Sequence, residues 1–128
     1  MTQSAPIQPD TLPTEWRATL AAAGAVFDDH GHVDRFTDIL DEVRAAAEDT
    51  VVADLSPLSL LRVEGADAQG FLQGQFSNDI REVSESRSQL SAYCNPKGRM
   101  LAVFRIFQRG TAYYLQLPAA ITEPTARR

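Results

Sequence analysis

Eight residues in two short stretches carry the chemistry of this chain: Gln73, Gln75, Asn78 and Asp79, then Tyr93, Lys97, Gly98 and Arg99. An amide side chain presents both donors and an acceptor. Gln73, Gln75 and Asn78 can therefore read the edge of a heterocycle such as a pterin, with the Asp79 carboxylate accepting from ring N–H or amino groups. Tyr93 can stack on such a ring. Lys97 is the only lysine in the sequence, and Arg99 follows two residues later. An ammonium and a guanidinium at a loop mouth suit a carboxylate or a phosphate, the Arg bidentately. Each group also has a plainer reading. Asn95-Pro96-Lys97-Gly98 has the residues a type I turn prefers. Ser77, Asn78 and Asp79 are good capping and turn residues.

The elements that must position these residues can be read from pattern. Thr14 is a candidate N-cap of a short helix that carries Trp16 and Leu20 on one face and ends at Gly24. Asp28-Asp29-His30-Gly31 separates two short extended pieces, which predicts a small hairpin. Ile39, Leu40, Val43, Ala46 and Ala47 recur at helical spacing, predicting an amphipathic helix over 38–48. Strands are expected over 51–55 and 58–64. Gly65-Ala66-Asp67 should start a helix with Ala68, Phe71, Leu72 and Phe76 on its apolar face. Three strands should follow, over 88–94, 99–107 and 111–117. Alternation places Leu90, Ala92 and Cys94 inward in the first of these, with Tyr93 turned away to line a cleft. In the second it places Met100, Ala102, Phe104 and Ile106 inward. The expected class is α+β: an antiparallel sheet with packed helices. Residues 1–12 read as a disordered lead, and 13–128 as one domain.

Bulk properties narrow the function classes. The chain has 128 residues, 44% of them hydrophobic and 23% charged, which is enough for one real core. No apolar run reaches the ~20 residues that span a bilayer, so no membrane role is expected. The first ten residues have no basic stretch followed by an apolar one, so no signal peptide is visible. A single cysteine, Cys94, excludes an intrachain disulfide framework and fits a reducing compartment. His30 and His32 with a distant Cys94 make no zinc pattern, and no metal is expected on this chain. The net charge of −5 is uneven. Residues 1–55 hold eleven acids and three arginines; residues 56–128 hold six acids and nine basic residues. The acidic half argues against direct nucleic-acid binding, and the basic half can meet an anionic ligand.

Taken in order, these motifs resemble one family. Leu60-Leu61-Arg62-Val63-Glu64-Gly65-Ala66-Asp67-Ala68, Phe71-Leu72-Gln73-Gly74-Gln75 with Asn78-Asp79, and Cys94-Asn95-Pro96-Lys97-Gly98-Arg99-Met100-Leu101 resemble the N-terminal part of the YgfZ family. That family is the folate-binding branch of the glycine-cleavage T-protein (GcvT) superfamily. The resemblance runs from about Val51 to Glu123. It implies a tetrahydrofolate ligand, a three-domain ring around a folate channel, and a role in assembly or repair of iron–sulfur enzymes, including those that thiolate tRNA. Iron–sulfur enzymes are then the implied partners, and the cytoplasm the implied location. Two departures matter. Leu101-Ala102 stands where T-protein enzymes carry acidic residues, which argues against aminomethyl transfer and leaves that activity as the alternative. The family's signature of the type Lys-Gly-Cys-Tyr-x-Gly-Gln-Glu is absent, and Cys94 does not match its cysteine.

The C-terminal residues Ile121-Thr122-Glu123-Pro124-Thr125 read as a helix start, with Thr122 as cap and Pro124 in the first turn. Only four residues follow Pro124. The expectation is an incomplete domain whose uncovered face promotes self-association, a non-ligand interaction module being the third reading.

Overall fold

The computed structural model describes residues 14–127. The lead over 1–12 lies outside the described residues. Among the described residues, four α-helices and six strands fall into two compact units that divide between Pro57 and Leu58. The class is α+β, with antiparallel pairing throughout.

The N-terminal unit begins with α1 (Thr14–Ala22), which buries Leu20. Its end is set by Gly24 at φ 93°, a left-handed conformation that costs a glycine little. Gly24 N–H reaches Ala21 O and Ala25 N–H reaches Leu20 O, the paired bonds of a Schellman cap. Strands β1 (Val26–Phe27) and β2 (Val33–Arg35) form the expected hairpin. Asp28 fixes its loop by accepting from the backbone N–H groups of His30 and His32. Helix α2 (Ile39–Glu48) follows. Asp38 caps it through Leu40 N–H, and Glu42 reaches back to the N–H groups of Phe36 and Thr37. The strand expected over 51–55 does not form. Asp54 instead accepts from Trp16 Nε1 and from Ser56, so side-chain bonds hold this segment where a ladder was expected.

The C-terminal unit is built on a four-stranded sheet in the order β3 (Leu58–Val63), β6 (Ala112–Pro118), β5 (Met100–Arg109), β4 (Gln89–Cys94). Register assigns its two faces. Leu61 opposes Leu115, Ile106 opposes Leu115, and Ser91 opposes Phe104. Opposed residues share a face. One face therefore carries Leu61, Val63, Tyr113, Leu115, Leu117, Phe104 and Ile106 into the core. Helix α3 (Ala68–Gln75) adds Ala68 and Leu72, the 3₁₀ turn Ile80–Glu82 adds Ile80, and α4 (Ala119–Ala126) adds Ile121.

Four expectations are corrected. Leu90 opposes Arg105 on the other face and is 59% exposed, whereas Ser91 and Tyr93 face the core, so the inward set of β4 is inverted. Met100 is exposed because the register slips between Tyr93 and Cys94, leaving Leu101 as the extra residue. Phe71 is exposed; only Ala68 and Leu72 of α3 are buried. Helix α4 starts at Ala119, not near Thr122, and carries Pro124 inside it. Thr122 is buried and donates back to Pro118 O, so it braces the helix from within and does not cap it.

Ser91 is 4% exposed, and its Oγ has no hydrogen-bond partner among the described residues. A buried hydroxyl without a partner carries its desolvation cost uncompensated. Ser91→Ala is expected to leave stability unchanged or raise it by up to about 1 kcal/mol in urea unfolding. A loss of that size would show that the hydroxyl is satisfied in solution.

Candidate functional site

The candidate residues lie along the outer edge of β4. After α3 ends, the chain at 76–78 runs beside that strand. Phe76 bridges to Tyr93, Ser77 N–H donates to Ala92 O, and Ala92 N–H donates to Ser77 Oγ at 3.1 Å. Asn78 Nδ2 donates to Leu90 O at 3.0 Å. A backbone bond and two side-chain bonds thus cover part of the edge strand's unpaired groups, a common way of blunting an edge.

Each predicted residue has a definite place on this edge. Gln73 is half-buried, and its Oε1 accepts from Ile80 N–H at 2.8 Å. That bond pins the 3₁₀ turn to α3. Gln75 is exposed at the last position of α3. Asn78 is exposed, and its Oδ1 accepts from Ser77 Oγ. Asp79 caps the 3₁₀ turn through Arg81 N–H and holds the Arg81 guanidinium with both oxygens, at 2.8 and 2.7 Å. The Arg81 side-chain bonds, followed by its backbone N–H, keep the Asp79 carboxyl below the usual carboxylate range. Tyr93 does not turn away from the core to line a cleft: its ring packs against the core, because β4 presents its odd-numbered residues inward.

Lys97, Gly98 and Arg99 sit on the turn that joins β4 to β5. Asn95 organises it. Its Oδ1 accepts from both Lys97 N–H (3.0 Å) and Arg99 N–H (2.9 Å), and its carbonyl accepts from Gly98 N–H. Gly98 has φ 77°, so a side chain there would be strained. Lys97 and Arg99 are exposed, and neither makes an ion pair among the described residues.

The geometry makes a strip, with the groups in order along it. Asn78 and Asp79 lie at the start of β4, and Gln75 comes near Tyr93 toward its end. The cationic turn lies past Cys94. From Leu90 to Cys94 the strand rises about 13 Å, which separates Asn78 from the Lys97 turn by at least that much. Gln75 and Tyr93 lie between them. The described cavity is elsewhere, in the N-terminal unit. It measures about 570 Å³ and is lined by Asp34, Phe36, Asp38 and Glu42 among others. Arg35 also lines it but is paired with Asp34, so the carboxylates outnumber the one guanidinium and suit an anionic ligand poorly, and those of Asp38 and Glu42 are already engaged in capping α2. Among the described residues no group of three or more His, Cys, Asp or Glu is placed to hold a metal ion. No helix there is long and apolar enough to cross a membrane.

Sequence reading overlooked two residues. Ser77 is a strut between α3 and β4, and Arg81 occupies the carboxylate assigned to ligand reading. Arg81 was detectable in principle, since Asp-x-Arg at a turn favours a local pair. The role of Ser77 depends on a strand fifteen residues away and leaves no local signal.

Residues 14–126 match the GCVT N-terminal domain. The chain is 32% identical over 79 residues to a tRNA-modifying protein YgfZ of Colwellia psychrerythraea, covering 62% of this chain and 24% of that protein. It is 34% identical over 67 residues to the tRNA-modifying protein YgfZ of an Enterobacter species, covering 52% and 21%. An uncharacterised protein of Haemophilus influenzae is 36% identical over 63 residues, covering 49% and 22%. The matched stretch therefore spans less than a quarter of the length of each of these relatives.

Proposed function

Since this chain belongs to the GCVT N-terminal domain family, in its YgfZ-like branch, we propose that it is a tetrahydrofolate-binding accessory protein that binds its ligand without transforming it. One observation carries the reading. A turn locked by Asn95 holds out two cations, Lys97 and Arg99, that have no acidic partner among the described residues. Folate derivatives end in carboxylates, which such a pair can take in charge-assisted bonds. The exposed Gln75 amide lies between this turn and Asn78, whereas the Tyr93 ring is turned into the core. In this reading the Gln75 and Asn78 amides meet the pterin end, while Asp79 holds the 3₁₀ turn beside them. Leu101 and Ala102 offer no carboxylate to activate a folate amine, so the aminomethyltransferase alternative is not favoured.

The relatives bear the name tRNA-modifying protein. By extension, the proposed setting is cytoplasmic, with service to iron–sulfur enzymes of tRNA modification rather than direct RNA contact. The acidic balance of residues 1–55 supports that distinction.

An open strip gives a weak site, and a dissociation constant of roughly 0.1–1 mM is expected for this chain. Titration with tetrahydrofolate, followed by backbone amide NMR, tests it. Saturable shifts are expected at Gln75–Asp79 and at Lys97–Arg99 together. Lys97→Met with Arg99→Met should weaken binding about tenfold, the loss of two charge-assisted contacts to one carboxylate. Absence of shifts, or shifts that survive both substitutions unchanged, would overturn the proposal.

A further inference from the structure

The two edges of the four-stranded sheet are finished differently. Along β4, the segment 76–78 covers the edge with a backbone bond and two side-chain bonds. Along β3 there is no such cover: among the described residues its backbone-to-backbone bonds run to β6 alone. Alternate residues of an antiparallel edge strand turn both N–H and C=O outward, which is a template for another strand. The usual guards against such pairing are missing. Residues 58–63 contain no proline, no lysine and no bulge, and their one charge, Arg62, is paired with Glu64. The core is open on this side as well. Leu115 and Tyr113 are 2% and 5% exposed, whereas Leu61 and Val63, their register partners in β3, are only half-buried.

We propose that this edge takes the β3 edge of a second copy, antiparallel, so that two sheets join into one. An antiparallel edge is its own complement, because a two-fold axis sets the donors of one copy on the acceptors of the other. The residues around β3 select the register. A two-fold axis normal to the sheet keeps each face on its own side, so it passes through a residue. Pro57 has no N–H to give, and Gly65, at φ 129°, ends the extended run on the other side. Leu61 is the midpoint of what lies between. In that register Leu61 meets its own counterpart, Ser59 meets Val63, Leu60 meets Arg62, and Leu58 meets Glu64. The half-open Leu61 and Val63 are then covered from both copies, and the two cores run together. Each Arg62 faces an aliphatic side chain and keeps Glu64 as its counter-ion, so no like charges stand directly opposed. An axis through Leu60 would bring Pro57 into the ladder, and one through Arg62 would set that guanidinium against itself. The pairing uses the C-terminal unit alone. It lies at the opposite edge of the sheet from β4, so it is independent of the folate reading.

Sedimentation velocity on the 128-residue chain tests it, with Leu60→Lys and Leu60→Glu as a matched pair. Leu60 is 54% exposed, so both variants should keep the wild-type far-UV circular dichroism. The wild type is expected to form a reversible, concentration-dependent dimer. Lysine at position 60 would stand opposite Arg62 of the other copy, twice over by symmetry, and should raise the dissociation constant at least about tenfold. Glutamate would stand opposite the same guanidinium and should leave the constant within about threefold of wild type. Both variants remove the same apolar side chain, so an association that was only hydrophobic would lose equally to each. A wild-type chain that stays monomeric, equal weakening by the two variants, or a dimer indifferent to both would each overturn the proposal.

Discussion

Phe104→Ala is expected to lower the unfolding free energy by about 3–5 kcal/mol, the usual cost of emptying a large aromatic from a packed core. Phe104 is 2% exposed, at the middle of β5. Its ring meets that of Phe76 edge-on, with centroids 4.5 Å apart. An edge-to-face pair adds about 0.5–1.5 kcal/mol beyond burial. Phe76 sits where α3 hands over to the segment beside β4, so the cavity would open under that strap. A domain of this size has about 5–15 kcal/mol in all, and the loss would bring it near the edge of folding. Chemical unfolding of wild type and variant measures it. Phe104→Leu should recover much of the loss by refilling the volume. A change below about 1 kcal/mol for the alanine would mean that the core is packed differently.

How far the sequence foretold this arrangement varies with the range of the interactions involved. Helix α2 was legible from its apolar spacing alone, which lies within about a dozen residues; the caps Asp38 and Glu42 emerge only in the structure. The end of α1 was legible because a glycine is the natural residue for a left-handed C-cap. The inward set of β4 was not. Leu90-Ala92-Cys94 is the more apolar set, yet Phe104 across the ladder places Ser91 and Tyr93 inward. Period-2 alternation gives two possible phases, and the partner strand chooses between them. Met100 failed for a related reason, since a one-residue slip in register reverses sides beyond it. For α4 the first residue hides behind Pro118, which closes β6 and opens the helix at once. At the candidate site, the residue types were legible. The Asn95 turn followed local rules and formed as its residues imply. What could not be read was occupancy. Gln73 and Asp79 look like ligand-reading groups in sequence, but each already holds a neighbour, Ile80 and Arg81 respectively.

That occupancy separates structural from ligand-reading amides by experiment. Gln73→Met is expected to cost about 1–3 kcal/mol, the penalty for a buried donor left without an acceptor. Ile80 is 0% exposed, and the acceptor of its N–H is Gln73 Oε1. Methionine keeps the length and helix propensity of glutamine, so the loss isolates the hydrogen bond. Gln75→Met, at an exposed helix end, should change stability by less than about 0.5 kcal/mol. The two should trade places in ligand titration. Gln73→Met should leave tetrahydrofolate affinity within about twofold where the fold persists, because its acceptor is turned to Ile80. Gln75→Met should weaken affinity by several-fold if its amide reads the pterin edge, removal of one neutral hydrogen bond being worth about 0.5–1.5 kcal/mol. Thermal unfolding and the NMR titration together decide the matter. A Gln73 variant of full stability would remove the strut assigned to that side chain and return it to the ligand-reading set.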